Sequence, residues 1–278
     1  TYLTLGTDDD KAGFLKGLKF TVNFGADNRD IHETNYNNMY NGSYAASNGR
    51  LQKYAKRTQS FTINQLLTYN RTFGDFAFSV GLNATAYETL ATRRDEVYTD
   101  HRQREGKPLD GIWGYQSAGL FQSQEEIDGW YEQNLGSTVR PGDIKYVDQN
   151  GDGVVNSDDQ IYLGRGGWYG SPLTFGANLT LKYKSFTLFA LATAGCGSYG
   201  MKNSTYYWID AEDKYSAIVR NRWTPETAAT ATYPRLTVSE GANNFVNSDF
   251  WMYKNNRFDL AKVQLTYDMS QSILKNNK

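Results

Sequence analysis

The sequence predicts an all-β protein, part of a large antiparallel transmembrane β-barrel with long loops at one end of its strands and short turns at the other. Three observations carry this. Segments of about ten residues alternate strictly between apolar and polar, the length and period of a strand that crosses a bilayer at a tilt. The connections between them alternate between very short and very long. Aromatic residues flank the short turns on the apolar face, where an interfacial girdle would sit. Alternation by itself also suits a soluble sandwich with one buried face, so the loop asymmetry and the aromatics decide.

The strands follow in order. Leu18–Asp27 sets Leu18, Phe20, Val22, Phe24 and Ala26 against Lys19, Thr21, Asn23 and Asp27. Ser60–Phe73 sets Phe61, Ile63, Leu67, Tyr69 and Phe73 against Thr62, Asn64, Thr68, Asn70 and Thr72. Phe76–Tyr87 and Leu173–Tyr183 repeat the pattern, and Phe186–Gly195 and Phe258–Asp268 continue it less cleanly. Phe73-Gly74-Asp75-Phe76 and Tyr183-Lys184-Ser185-Phe186 read as tight turns. Asn28–Arg57, Thr89–Pro172 and Ser198–Asn256 read as long excursions, with residues 93–172 forming the long extracellular loop. On that loop, Ser123-Gln-Glu-Glu126 is a capping-box signature that predicts a short helix over Gln124–Gln133. Ser216–Trp223 predicts a further helical turn, stopped before Pro225.

Composition narrows the function classes. The 278 residues carry 29 basic against 30 acidic side chains, which leaves no electrostatic footprint for nucleic acid. One cysteine, Cys196, excludes an internal disulfide, and two histidines, His32 and His101, sit among polar neighbours with no nucleophile motif. Catalysis has no candidate residue. Aromatics reach 15%, and 26 glycines against 5 prolines suit a β protein with many turns. The longest uncharged run, Ser185–Met201, is too short and too rich in Thr, Gly and Ser for a membrane helix of about 20 apolar residues. Thr1 opens in strand-like sequence with no signal peptide, and Leu274-Lys-Asn-Asn-Lys278 stops abruptly, so the chain is expected to be a piece of a larger protein.

The motif with the most chemistry is Asp148-Gln-Asn150-Gly-Asp152-Gly153-Val154-Val-Asn156-Ser-Asp158-Asp159. Oxygen donors stand at positions 1, 3, 5, 9 and 12, with glycine at position 6, the spacing that calcium asks of one continuous loop. Asp148, Asn150 and Asp152 would give side-chain oxygens and Val154 its carbonyl. Asn156 would bind directly or through water, and Asp159 would close the loop where a glutamate is usual. Without a paired second loop, such an ion is structural. The plainer alternative is an acidic hairpin without an ion. Gly195-Cys-Gly197-Ser-Tyr-Gly200 fits a dinucleotide fingerprint, but no helical period follows it. Loop aromatics cluster as Trp113 with Tyr115 and Phe121, Trp168 with Tyr169, and Tyr206-Tyr207-Trp208. Of these Trp113, Tyr115, Trp168, Tyr169 and Trp208 are candidates for sugar or peptide binding, against the alternative that they pack the loops together.

Several segments resemble the SusC/RagA class of TonB-dependent outer-membrane transporters. They are Phe14-Leu-Lys-Gly-Leu-Lys-Phe20, Leu67-Thr-Tyr-Asn-Arg-Thr-Phe-Gly74, Ile112–Asp128, Pro141–Asn156 with Asp158–Gly164, Ser248-Asp-Phe-Trp251 and Leu260–Tyr267. The resemblance implies a barrel of about 22 strands, of which this chain holds the C-terminal portion, about seven strands. The plug and the last strands would lie outside it. It further implies an outer-membrane location in a Gram-negative bacterium and contact with outer-membrane lipid. Import of oligosaccharides or peptides would proceed with a SusD-like surface lipoprotein and be energised through the TonB complex. The alternative function is a calcium-stabilised surface adhesion or glycan-binding β module.

Overall fold

The structure, a computed structural model, describes residues 2–8, 10–40, 48–94, 96–98, 100–209 and 216–269. The chain divides into two units: Thr1–Glu88 with Leu173–Ala194 and Phe258–Lys278, and Thr89–Pro172 with Gly195–Arg257.

The first unit is one sheet of seven strands whose spatial order is their chain order. They are β1 (Tyr2–Gly6), β2 (Leu18–Asn37), β3 (Arg50–Phe73), β4 (Phe76–Ala86), β5 (Leu173–Tyr183), β6 (Phe186–Cys196) and β7 (Arg257–Tyr267). β4, β5, β6 and β7 are each 11 residues long. Residues about 9–11 in number take a tilted strand across a bilayer.

Register turns the alternation of single strands into continuous faces. Leu5, Phe20, Leu67, Leu82 and Ala177 stand opposite one another in succession across β1 to β5. On one side the next rung is Leu18, Tyr69, Val80 and Leu179; on the other come Val22, Gln65, Ala84 and Phe175, then Phe24, Ile63, Ala86 and Leu173, with Gln65 the polar exception. The other face is made of rungs such as Asn23, Asn64, Thr85 and Thr174, with the Thr85 hydroxyl donating to Asn64 Oδ1 at 2.7 Å. The apolar face is uncovered: Leu82 is 46% exposed, Phe61 59% and Leu265 68%. Among the described residues, every buried hydrophobic side chain belongs to the second unit. In water such a sheet would leave a large apolar patch unpartnered.

The tight turns fall where the sequence puts them. Gly74 (φ 56°) and Lys184 (φ 52°) supply the left-handed residue that a two-residue hairpin needs. The Lys184 amide donates to the Asp75 carbonyl at 3.2 Å, so the two turns are stitched side by side. Phe73, Phe76, Tyr183 and Phe186 gather at this end, and Phe73 pairs with Phe76 and Phe76 with Tyr183.

The excursion expected over Asn28–Arg57 is a correction. β2 runs on to Asn37 and β3 begins at Arg50, with unbroken pairing from Asn28↔Gln59 to Asn37↔Arg50. Both faces of this ribbon are exposed, so nothing demands alternation there, while the hydrogen-bond ladder persists. An Arg57–Asp30 ion pair at 2.7 Å bridges its two strands.

The second unit has its own core of Tyr115, Ile144, Tyr146, Val155, Ile209, Tyr233 and Trp251. Trp251 is 2% exposed, meets Tyr233 and Phe250 edge-on, and donates from its indole nitrogen to the Asn244 carbonyl at 2.8 Å. Beneath it the Asp143 carboxylate receives Arg235 at 3.1 Å and the Asn244 side-chain amide at 2.8 Å. Burial pushes the Asp143 carboxyl above its usual range, against the pull of those two partners.

The expected helix over Gln124–Gln133 is shorter, Gln124–Asp128. Ser123 accepts from the Glu126 amide as a cap should, but the Glu126 carboxylate reaches back to the Gln122 amide rather than that of Ser123. Glu126 also pairs with Lys145. The rest of the segment is drawn away by tertiary contacts: Trp130 donates to the Tyr146 carbonyl at 2.7 Å, and Glu132–Gln133 pairs with Val154–Val155. The turn predicted over Ser216–Trp223 is a 3₁₀ helix at Ala217–Asn221, capped by Ser216.

Candidate functional site

Two features of the second unit hold functional promise, the acidic loop and an aromatic basin. In the loop, Gly151 and Gly153 take left-handed conformations (φ 77° and 88°), which lets their amides turn inward. Both donate to the Asp148 carboxylate, at 2.7 and 2.8 Å. Asn150 Oδ1 accepts from the Asp152 amide at 2.9 Å, and Asp152 Oδ1 from the Val154 amide at 2.9 Å. Asp159 is fully buried and accepts from the amides of Gln149 at 2.8 Å and Asn156 at 2.7 Å. It lies close to Asp148, so positions 1 and 12 of the loop meet. Desolvation acts to raise the Asp148 carboxyl, but the Gly153 and Gly151 amides outweigh it and hold the group below its usual range.

This arrangement fits a hard cation in its donor chemistry: all-oxygen, on one short segment, with two carboxylates side by side. Each carboxylate oxygen of Asp148 and Asp159 already accepts an amide, yet a carboxylate offers about four lone-pair sites, so capacity remains. Among the described residues no group of three or more His, Cys, Asp or Glu side chains is clustered as a metal site. Asparagine and the Val154 carbonyl therefore have to complete any shell.

The loop also anchors its surroundings. His101 Nε2 lies 2.8 Å from the Asp158 carbonyl, and Arg102 pairs with the Asp158 carboxylate at 2.5 Å and with Asp100 at 2.7 Å. Those contacts fix the segment that presents Arg104.

Arg104 faces a cavity of about 640 Å³. Trp113 enters it from Gly111–Gly114, which pairs with Ile161–Arg165, and its ring meets Tyr162 edge-on at 5.9 Å. Trp168 comes from the turn after Arg165. Asp110 holds that turn, receiving Arg165 at 3.1 Å and the Gly167 amide at 3.0 Å. Asn247 is set by the Tyr115 amide donating to its carbonyl at 2.9 Å. Asn203 and Asn255 flank the pairing of Tyr199–Met201 with Met252–Lys254.

The five aromatic candidates therefore separate. Trp113 and Trp168 line the basin, and Tyr169 is exposed but outside it. Tyr115 and Trp208 are corrected to packing roles. Tyr115 is 5% exposed against Tyr146, and Trp208 packs on Trp251 and Phe245. Burying those large rings is what closes the unit's core. Arg104, Asn203, Asn247 and Asn255 had no sequence signal, since they converge only through pairings between distant segments.

No family model matches the chain. A TonB-dependent receptor of Formosa agariphila is 32% identical over 169 residues, covering 59% of this chain and 16% of the receptor. The chain is thus similar to a small part of that relative. Among solved structures, the RagAB peptide transporter superposes with a TM-score of 0.62 at 14% identity, over 96% of this chain and 27% of the other. The RagAB peptide importer in its open-open state gives 0.57 at 15% identity, over 91% and 26%. These relatives are receptors and transporters, not enzymes. In sequence the chain is similar to part of a TonB-dependent receptor, and in fold to part of the RagAB structures, spanning about a sixth and a quarter of their lengths.

Proposed function

We propose that the chain is part of the wall and outer loops of an outer-membrane importer that takes up oligosaccharides or peptides. A SusD-like surface lipoprotein would deliver the substrate, and the TonB complex would energise uptake through parts of the protein outside this chain. The observation that carries this reading is the uncovered apolar face of the seven-stranded sheet, in register from Leu5 to Ala177. Lipid is the partner such a face lacks, and the Asn and Thr rungs behind it suit a water-filled lumen. The likeness to RagAB supports the same reading. Short turns at one end of the strands and the second unit's long segments between β4 and β5 and between β6 and β7 match a periplasmic and an extracellular side.

Calcium belongs to this proposal as a brace of the loops. Asp148, Asn150, Asp152 and the Val154 carbonyl would hold it, with Asn156 and Asp159 completing the shell. The ion would supply positive charge between adjacent carboxylates and stiffen the segment that carries Arg104.

Two experiments test the two parts. Deletion of the gene, complemented with or without a working TonB system, is expected to show growth on oligosaccharides or peptides only when both are present. Growth independent of TonB contradicts the import reading. Terbium luminescence of the intact protein is expected to be displaced by calcium and lost in Asp152→Ala; unchanged ion binding in that variant refutes the ligand assignment.

A further inference from the structure

We propose that the basin around Arg104 binds a sugar ring bearing a carboxylate, that is, a uronate-containing oligosaccharide. This deepens the import reading and rests on it for the idea that the ligand is cargo.

The charge of the site is the first argument. Arg104 is exposed, lies 5.3 Å over the Trp113 ring, and makes no ion pair among the described residues. Three arginines near it are committed to carboxylates: Arg94 to Glu96 at 2.8 Å, Arg102 to Asp100 at 2.7 Å and Arg165 to Asp110 at 3.1 Å. Among the described residues no aspartate or glutamate lines the cavity. A guanidinium stacked on an indole presents its outer edge as a planar fork, which matches the two oxygens of a carboxylate.

The lining selects a sugar as the carrier of that carboxylate. Trp168 is 67% exposed, and its ring is a flat apolar surface of the kind on which the C–H face of a pyranose stacks. Glycine fixes that surface: a Cβ on Gly166 would meet the Trp168 indole nitrogen at 2.6 Å. Asn203, Asn247 and Asn255 line the cavity, and their side-chain amides make no hydrogen bond among the described residues. Each offers both donors and an acceptor, the pairing that a hydroxyl, itself donor and acceptor, requires. A cavity of about 640 Å³ is of ligand size.

The test is calorimetric titration of the intact protein in detergent with a glucuronate-containing tetrasaccharide, its carboxyl-reduced counterpart and an acidic peptide. The uronate ligand is expected to bind most tightly, and Arg104→Gln to weaken it by about tenfold to a hundredfold, the worth of a charged hydrogen-bonded contact. The same variant should leave binding of the reduced sugar unchanged, whereas Trp168→Ala should weaken both sugars. Equal binding of the acidic and reduced sugars, tighter binding of the peptide, or an unaffected Arg104→Gln overturns the proposal. Heat-modifiable migration on gels reports the folded barrel, so failure of the folded parent protein to bind the uronate ligand counts against the basin alone. Loss of the folded, membrane-embedded state counts against the import reading.

Discussion

Leu82→Arg probes the wall directly. Leu82 stands in the rung Phe20, Leu67, Leu82, Ala177 and is 46% exposed on the apolar face. It lies six residues beyond Phe76 in β4, which at strand rise is roughly 20 Å along the strand. Tilted by about 45°, that distance becomes roughly 14 Å of depth, close to the middle of an apolar band about 25 Å tall. An arginine there should cost about 2–4 kcal/mol of barrel stability. In a water-facing sheet the same change at a half-exposed leucine would stay within about 0.5 kcal/mol. Asn83→Arg, one residue on and facing the other way, is the internal control and should be near neutral. Denaturant titration of the intact protein refolded into lipid vesicles, read by heat-modifiable migration, separates the cases. Equal stability of the two variants would refute the assignment of faces.

Two further outcomes follow from the second unit. Asp159→Ala should expose the acidic loop to proteolysis, because it removes the acceptor of the Gln149 and Asn156 amides at a buried position. Unpaired buried amides cost about 1–3 kcal/mol each, and a cleavage rate equal to that of the parent would contradict the role. The second outcome concerns acid. Hydrogen bonds from the Arg102 side chain and backbone hold the Asp100 carboxyl down to about 2. A carboxyl depressed on folding contributes stability that is present above its unfolded value of about 4. That contribution is lost as pH falls from there through about 2. Side-chain chemical shifts should show a midpoint near 2 for Asp100; a midpoint near the unfolded value of about 4 would show that the pair is not formed.

The wall was legible in the sequence because each of its strands has one face with a fixed requirement. The period-two pattern therefore locates Leu173–Tyr183 to the residue, and the aromatics mark Phe73, Phe76, Tyr183 and Phe186 as turn neighbours. The same logic explains the failure over Asn28–Arg57. There the ladder continues from Asn28 to Asn37 with solvent on both sides, and polar residues on both faces carry no period. Loop aromatics were visible as rings but not as roles, because packing and binding ask for the same residue types. Only tertiary contacts show that Tyr115 supports Tyr146 while Trp168 stands free of the core. The basin's polar groups were illegible for a different reason. Arg104, Asn203, Asn247 and Asn255 share no local spacing, and pairings such as Tyr199↔Lys254 and Ile161↔Gly114 bring them to one cavity.

The central claim is that one face of the sheet meets lipid. Its most direct test is a cysteine scan of β4 in whole cells, in a Cys196→Ser background, with a membrane-impermeant maleimide. Ala77, Ser79 and Asn83 are expected to label through the lumen, while Val80, Leu82 and Ala84 stay protected, giving a period of two along the strand. Uniform labelling of both faces would contradict the account.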